Sequence, residues 1–173
     1  MVLKWIGAVM VIGSCGALGF YFSGQLRRRL GQLRTIRQIL YMLKGEISYS
    51  AVTLPESFFH IAGKTPQPFR EFLEQVSRRL AALDGENLEQ VWRQEVRRIR
   101  KKTSLVPEEI GEWEDLGGRL GYLDRAMQLQ LIDLYLTQWE EKIGRLEKEC
   151  QKTCRLYQYL GALAGMLLTV VLL

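Results

Sequence analysis

Histidine and cysteine are scarce in this chain. Among 173 residues there is one histidine, His60, and there are three cysteines, Cys15, Cys150 and Cys154. A tetrahedral zinc site needs about four ligands. These residues form no cluster that could supply them, so no metal is expected. Cys150 and Cys154 stand four apart on a strongly helical stretch, where they share a face but are poorly placed to bridge each other. They read as buried or reduced cytosolic thiols.

Charge is missing from both ends. Only Lys4 is charged before Arg27, and Arg155 is the last charged side chain. The uncharged run from Trp5 to Phe22, with its flanks, approaches the roughly 20 residues that cross a bilayer as a helix. A cleaved signal peptide would carry its basic residues before the run; here the basic cluster follows it. The last run, Leu156 to Leu173, is about 18 residues, or about 27 Å as a helix. No face of it is polar, which argues for a second span over a core helix.

Three segments are therefore expected: a span over 1–24, a soluble domain over 25–155 and a span over 156–173. The formal charge of +5 has a place in this scheme. Arg27, Arg28, Arg29, Arg34 and Arg37 follow the first span. Lys142, Arg145, Lys148, Lys152 and Arg155 precede the second. By the positive-inside rule the middle domain is cytosolic and both chain ends reach the opposite face. Arg27, Arg28, Arg29, Lys152 and Arg155 are expected at the anionic headgroups. Gly13 with Ala17, and Gly161 with Gly165, place small residues four apart, a spacing for close helix packing in lipid. The two spans of one molecule, or a second membrane protein, fit that packing equally.

The middle segment reads as helix after helix, with no strand. Leu26, Leu30, Leu33, Ile36, Leu40, Leu43 and Ile47 recur at three- and four-residue steps, continuous with the first span. "TLPE" opens a second helix: Thr53 caps it, Pro55 suits its first turn and Glu56 completes a capping box. Its apolar face is Phe58, Phe59, Ile61 and Ala62. A third helix is expected from Phe69 to Leu83, with Phe72, Leu73, Val76 and Leu80 inward. A fourth spans Leu88 to Lys101, with Val91, Trp92, Val96 and Ile99. The fifth starts near Pro107, presents Ile110, Trp113, Leu116 and Leu120, and is ended by "GGRLG". Gly117 and Gly121 there also suit close packing. Asp124 caps a long last helix with apolar positions Met127, Leu131, Leu134, Trp139, Ile143 and Leu146, running unbroken into the second span. The expected fold is all-α: a six-helix cytosolic bundle whose first and last helices extend into two transmembrane helices.

No catalytic constellation emerges. "GKT" at Gly63 to Thr65 resembles the end of a phosphate-binding loop, but the required earlier glycine falls on Phe58, and a helix precedes it. His60 reads as a surface or half-buried side chain. Glu108, Glu109, Glu112 and Glu114 read as a solvated first helical turn or an acidic docking face. The basic "EVRRIRKK", Glu95 to Lys102, lacks interleaved aromatics and reads as a solvated or partner-binding face, not a nucleic-acid site. Neither enzyme activity nor a cofactor is expected; the profile is that of a scaffold or adaptor.

Three blocks carry a resemblance: "LKGEISYSAVTLPE", "LGGRLGYLDRAMQ" and "LGALAG" in the last apolar run. With them the whole chain resembles the stage III sporulation protein AB family, departing where Val52 and Leu54 stand in place of a Thr-Pro-Leu order. The resemblance implies a component of the channel apparatus joining mother cell and forespore in endospore formation. It implies a domain similar to the inner-membrane platform proteins of type II secretion and type IV pilus systems. The location implied is the outer forespore membrane, with the domain in the mother-cell cytosol. The partners implied are a cytosolic secretion-type ATPase, stage III sporulation protein AA, other channel proteins of that stage and membrane lipid. Two alternatives stand beside this platform: a passive assembly factor, and a platform-like protein of another secretion or pilus system. Candidate partner contacts are Glu46, Tyr49, Asp124 and Gln128, for which internal capping and helix–helix hydrogen bonding are the competing roles.

Overall fold

A computed structural model describes residues 2–50, 52–82 and 86–172, with side chains over 24–50, 52–82 and 86–152. Six α-helices follow one another: α1 Val2–Tyr49, α2 Leu54–Ala62, α3 Phe69–Ala81, α4 Leu88–Ile99, α5 Pro107–Leu120 and α6 Arg125–Leu172. A 3-10 turn, Arg100–Lys102, extends α4. There is no strand among the described residues. The first and last helices are each single uninterrupted helices of 48 residues.

The chain divides into two units. One comprises Met1–Leu30 and Gly144–Leu173 and holds, of the basic residues expected at the headgroups, the described Arg27, Arg28, Arg29 and Lys152. Arg27, Arg28 and Lys152 are exposed and Arg29 is half-buried. Among the described residues no helix is long and apolar enough to cross a membrane. The two apolar runs, with Gly13, Ala17, Gly161 and Gly165, and also Arg155, lie outside the described side chains.

The other unit, Gly31–Ile143, is the helical core. Leu33, Ile36, Ile39, Leu40 and Leu43 of α1 are buried in it, while Arg34 and Gln38 face out. Helix α2 packs on α3, α3 on α4, and α4 on α5. Aromatic rings join these layers. Trp92 of α4 meets Phe58 of α2 at 5.6 Å and Phe72 of α3 edge-on at 4.8 Å. It meets Trp113 of α5 at 4.9 Å, and Trp113 meets Trp139 of α6 at 5.8 Å. Such tilted and edge-on pairs suit the ring quadrupoles. The Trp92 indole N–H donates to the backbone carbonyl of Trp113 at 2.6 Å, so the buried ring keeps its hydrogen bond.

That ring decides the course of α5. Gly117 and Gly118 lie inside the helix, which ends at Leu120 with Gly121 as its C-cap, so the block ends the helix at its last glycine. A Cβ on Gly117 would lie 2.1 Å from the Trp92 ring, and one on Gly121 3.0 Å from Leu88. Close helix approach outweighs the local cost of about 1 kcal/mol per glycine. The other ends follow local chemistry. Helix α3 stops at Ala81, short of Leu83, and α4 becomes a 3-10 turn before Lys101. Glu56 accepts the Thr53 N–H at 3.2 Å, and Glu109 accepts the Val106 N–H at 3.0 Å. Asp124 accepts the Met127 N–H at 2.8 Å, capping α6.

Three apolar assignments are corrected. Phe59, Met127 and Leu134 are exposed, and the buried positions beside them include Phe58 on α2 and Ile132, Tyr135 and Leu136 on α6. Substituting Gly117→Ala should cost about 3 kcal/mol by overpacking. Gly111→Ala, in the same helix but with nothing within 4 Å of the added carbon, should stabilise by about 0.5–1 kcal/mol. Urea denaturation of the full chain in detergent checks both. Equal effects would contradict the Trp92–Gly117 packing.

Candidate partner-binding surface

Glu46 and Tyr49 stand three apart at the end of α1 and so share a helix face. On α2 the spacing of Glu56, Phe59 and His60 makes an outward face. The two faces meet where the His60 Nδ1 lies 3.9 Å from the Glu46 Oε1. Around that contact three large apolar side chains point into solvent: Tyr49 is 92% exposed, Phe59 64% and Val52 38%. Two of the three are aromatic, Tyr49 and Phe59, and exposed aromatics are enriched at interfaces. Sequence periodicity missed Phe59 because Phe58 and Phe59 are adjacent and either could have faced inward.

Asp124 and Gln128 are brought to the same end of this unit but are used within it. Besides the Asp124 cap, Gln128 Nε2 donates to the Leu120 carbonyl at 2.9 Å, closing the turn between α5 and α6. Arg125 donates to the Ser48 carbonyl at 2.5 Å and so ties the start of α6 to the end of α1. Of the four candidate contacts, Tyr49 is the one that projects freely into solvent, and Glu46 lies half-buried beneath His60.

Much of the charge in these stretches is paired within the unit, while Arg100, Lys101 and Glu108 are exposed. Glu95 is nearly fully buried and accepts from Arg79 at 2.8 Å and from Arg98 at 2.9 Å. Arg79 also grips Glu86 with two nitrogens, at 2.5 and 3.0 Å, and these carboxylates push the Arg79 pKa up. A buried carboxylate is tolerated only with such compensation. Lys102 pairs with Glu71 at 2.6 Å. Glu109 is buried as a cap, Glu112 pairs with Lys142 of α6 and Glu114 approaches Arg97, so three of the four α5 glutamates are used internally, and Glu108 is exposed. Among the described residues no group of three His, Cys, Asp or Glu could hold a metal ion.

Comparison with known proteins decides the family. The family model described as Stage III sporulation protein AB matches residues 4–173. The chain belongs to the stage III sporulation protein AB family. Stage III sporulation protein AB of Bacillus subtilis (strain 168) is 29% identical over 175 residues, covering 99% of each chain. A solved structure of stage III sporulation protein AB is 27% identical, with a TM-score of 0.66 over 72% of this chain and 97% of that one. Sporulation is therefore the process this family member serves, on an all-helical scaffold.

Two tyrosines give the fold a pH signature. The Tyr41 hydroxyl donates to Glu140 at 2.7 Å, and this hydrogen bond, then burial and the Glu140 charge, raises its pKa, against Arg37 and Lys44. Burial, with Asp115 and Glu112, raises that of Tyr135, against Arg119. A raised folded pKa gives stability that is whole below the unfolded value near 10 and lost as pH rises through the folded value. Denaturation midpoints should therefore fall above about pH 10. Glu140→Leu should return the Tyr41 ring-carbon NMR titration toward the ordinary range; an unmoved titration would contradict the Tyr41–Glu140 bond.

Proposed function

We propose that this chain is a membrane-anchored platform of the mother cell–forespore channel, docking a cytosolic secretion-type ATPase, stage III sporulation protein AA, to the membrane complex. The observation that carries the reading is the outward cluster of Tyr49, Val52 and Phe59 at the α1–α2 turn. Aromatic side chains left in solvent beside a fully packed core supply the apolar anchors of an interface. In this reading the energy-using chemistry belongs to the ATPase, and the chain contributes placement and stiffness through its two 48-residue helices.

The two uncharged runs in the sequence, each bordered by arginine and lysine on the side of the middle segment, support two spans. In this reading the helical unit lies in the mother-cell cytosol, the protein in the outer forespore membrane and both termini on the far face. Arg27, Arg28, Arg29 and Lys152 then lie at the headgroups.

The test is co-purification of the full chain in detergent with the secretion-type ATPase of the same cell, with and without nucleotide. Binding that changes with nucleotide and weakens at least tenfold in Tyr49→Ala/Phe59→Ala is the expected result. Binding indifferent to nucleotide would replace the platform with a passive assembly factor. Binding that survives the double substitution would move the docking surface elsewhere.

A further inference from the structure

The surface at the α1–α2 turn carries charge as well as rings. Tyr49 follows Glu46 by three residues on α1, and Phe59 follows Glu56 by three on α2, so each helix presents a carboxylate and a ring on one face. His60 links the two faces: its Nδ1 lies 3.9 Å from Glu46 Oε1, and Glu56 precedes it by one turn of α2. The surface therefore has two walls, one from each helix.

Neither carboxylate is neutralised by a fixed cation. Glu56 spends Oε2 on the Thr53 N–H at 3.2 Å and the Thr53 hydroxyl at 3.3 Å. The Glu46 contact with His60 is an ion pair only while the imidazole is protonated. Among the described residues no lysine or arginine pairs with either. Of the cations nearby in the fold, Lys44 holds Asp133 at 2.6 Å and Arg125 holds the Ser48 carbonyl at 2.5 Å, while Lys64 stands beyond the end of α2. Carboxylates on α3 and α4 do have such partners: Glu71 has Lys102, Glu74 has Arg70 and Glu89 has Arg93. Glu46, Glu56 and His60 do not form a set that could hold a metal ion. An unmatched carboxylate beside an exposed ring suits a guanidinium, which forms two parallel hydrogen bonds with the one and stacks on the other. An ammonium has no planar edge for either contact. We propose that this surface binds an arginine-bearing apolar segment of a partner protein, with guanidinium groups on Glu46 and Glu56 and against the Tyr49 and Phe59 rings, and an apolar side chain on Val52. The inference rests on the docking surface proposed above and adds the chemistry of what docks there.

The probe is a fluorescein-labelled peptide with two arginines flanking a pair of leucines. Anisotropy is read against the full chain in neutral detergent. Saturable binding is expected, at least tenfold weaker for Glu46→Gln/Glu56→Gln and less than twofold weaker for Glu108→Gln, an exposed carboxylate on α5. Glutamine at position 56 still suits a capping box, so α2 keeps its start. The same peptide with citrulline for arginine should lose binding to the unsubstituted chain, a comparison that requires no variant to fold. Failure of the arginine peptide to bind, retained binding of the citrulline peptide, or equal losses at Glu108 and at the Glu46–Glu56 pair would overturn the proposal. Capture of the ATPase by the same variants separates this inference from the reading beneath it. Capture lost in Tyr49→Ala/Phe59→Ala but unchanged in Glu46→Gln/Glu56→Gln would keep the docking surface and overturn the arginine chemistry. Capture indifferent to both pairs, with the peptide binding as expected, would remove the ATPase as occupant and leave the arginine chemistry standing.

Discussion

The indole of Trp92 lies on the backbone of α5 at Gly117, and the helical core of this protein is arranged around that contact. Its N–H reaches the Trp113 carbonyl one turn earlier in the same helix. From this point a chain of rings extends through Phe58, Phe72, Trp113 and Trp139, so that α2, α3, α4, α5 and α6 each contribute one member. Rings of this size dominate core energetics, and of the three indoles Trp92 keeps a hydrogen bond, while the buried N–H groups of Trp113 and Trp139 have no protein partner among the described residues. Any side chain at position 117 would have to move the ring, and with it the register of four other helices.

A core filled in this way leaves the α1–α2 turn facing out. Phe58 occupies the inside of α2, so its neighbour Phe59 must face water. Ser77 fastens α3 to α2 by donating to the Pro55 carbonyl at 2.7 Å, and Arg125 fastens α6 to the end of α1. The Arg79–Glu95–Arg98 cluster fixes α3 against α4 in the same way. The exposed aromatics are thus held on a braced support. Holding them so lowers the ordering cost of binding. The platform role proposed above would gain from such a surface, because a platform's task is placement.

The helices were legible because their apolar stripes repeat and their start signals are local. Glu56, Glu109 and Asp124 act within three residues of the groups they satisfy. The α1 stripe from Leu30 to Ile47 is buried as its spacing predicts. What was not legible depends on partners distant in sequence. Gly117 suggested close packing, but that the Trp92 ring is what lies against it needed the fold. Met127 and Leu134 are apolar, yet both lie about 100° or more around α6 from the mean direction of its buried positions. The glutamates of α5 look solvated until Lys142 and Arg97 arrive from other helices. Of the candidate site, Tyr49 was visible as a residue, but its exposure and its neighbour Phe59 needed the packed structure. Asp124 and Gln128 were visible too, and the turn they close shows their internal use.

The most direct measurement is hydrogen exchange by mass spectrometry on the full chain in detergent, with and without the secretion-type ATPase proposed as its partner. The account predicts protection on binding in the peptides covering residues 46–60, with little change across α5. Protection concentrated on Pro107–Leu120, with residues 46–60 exchanging as before, would contradict it.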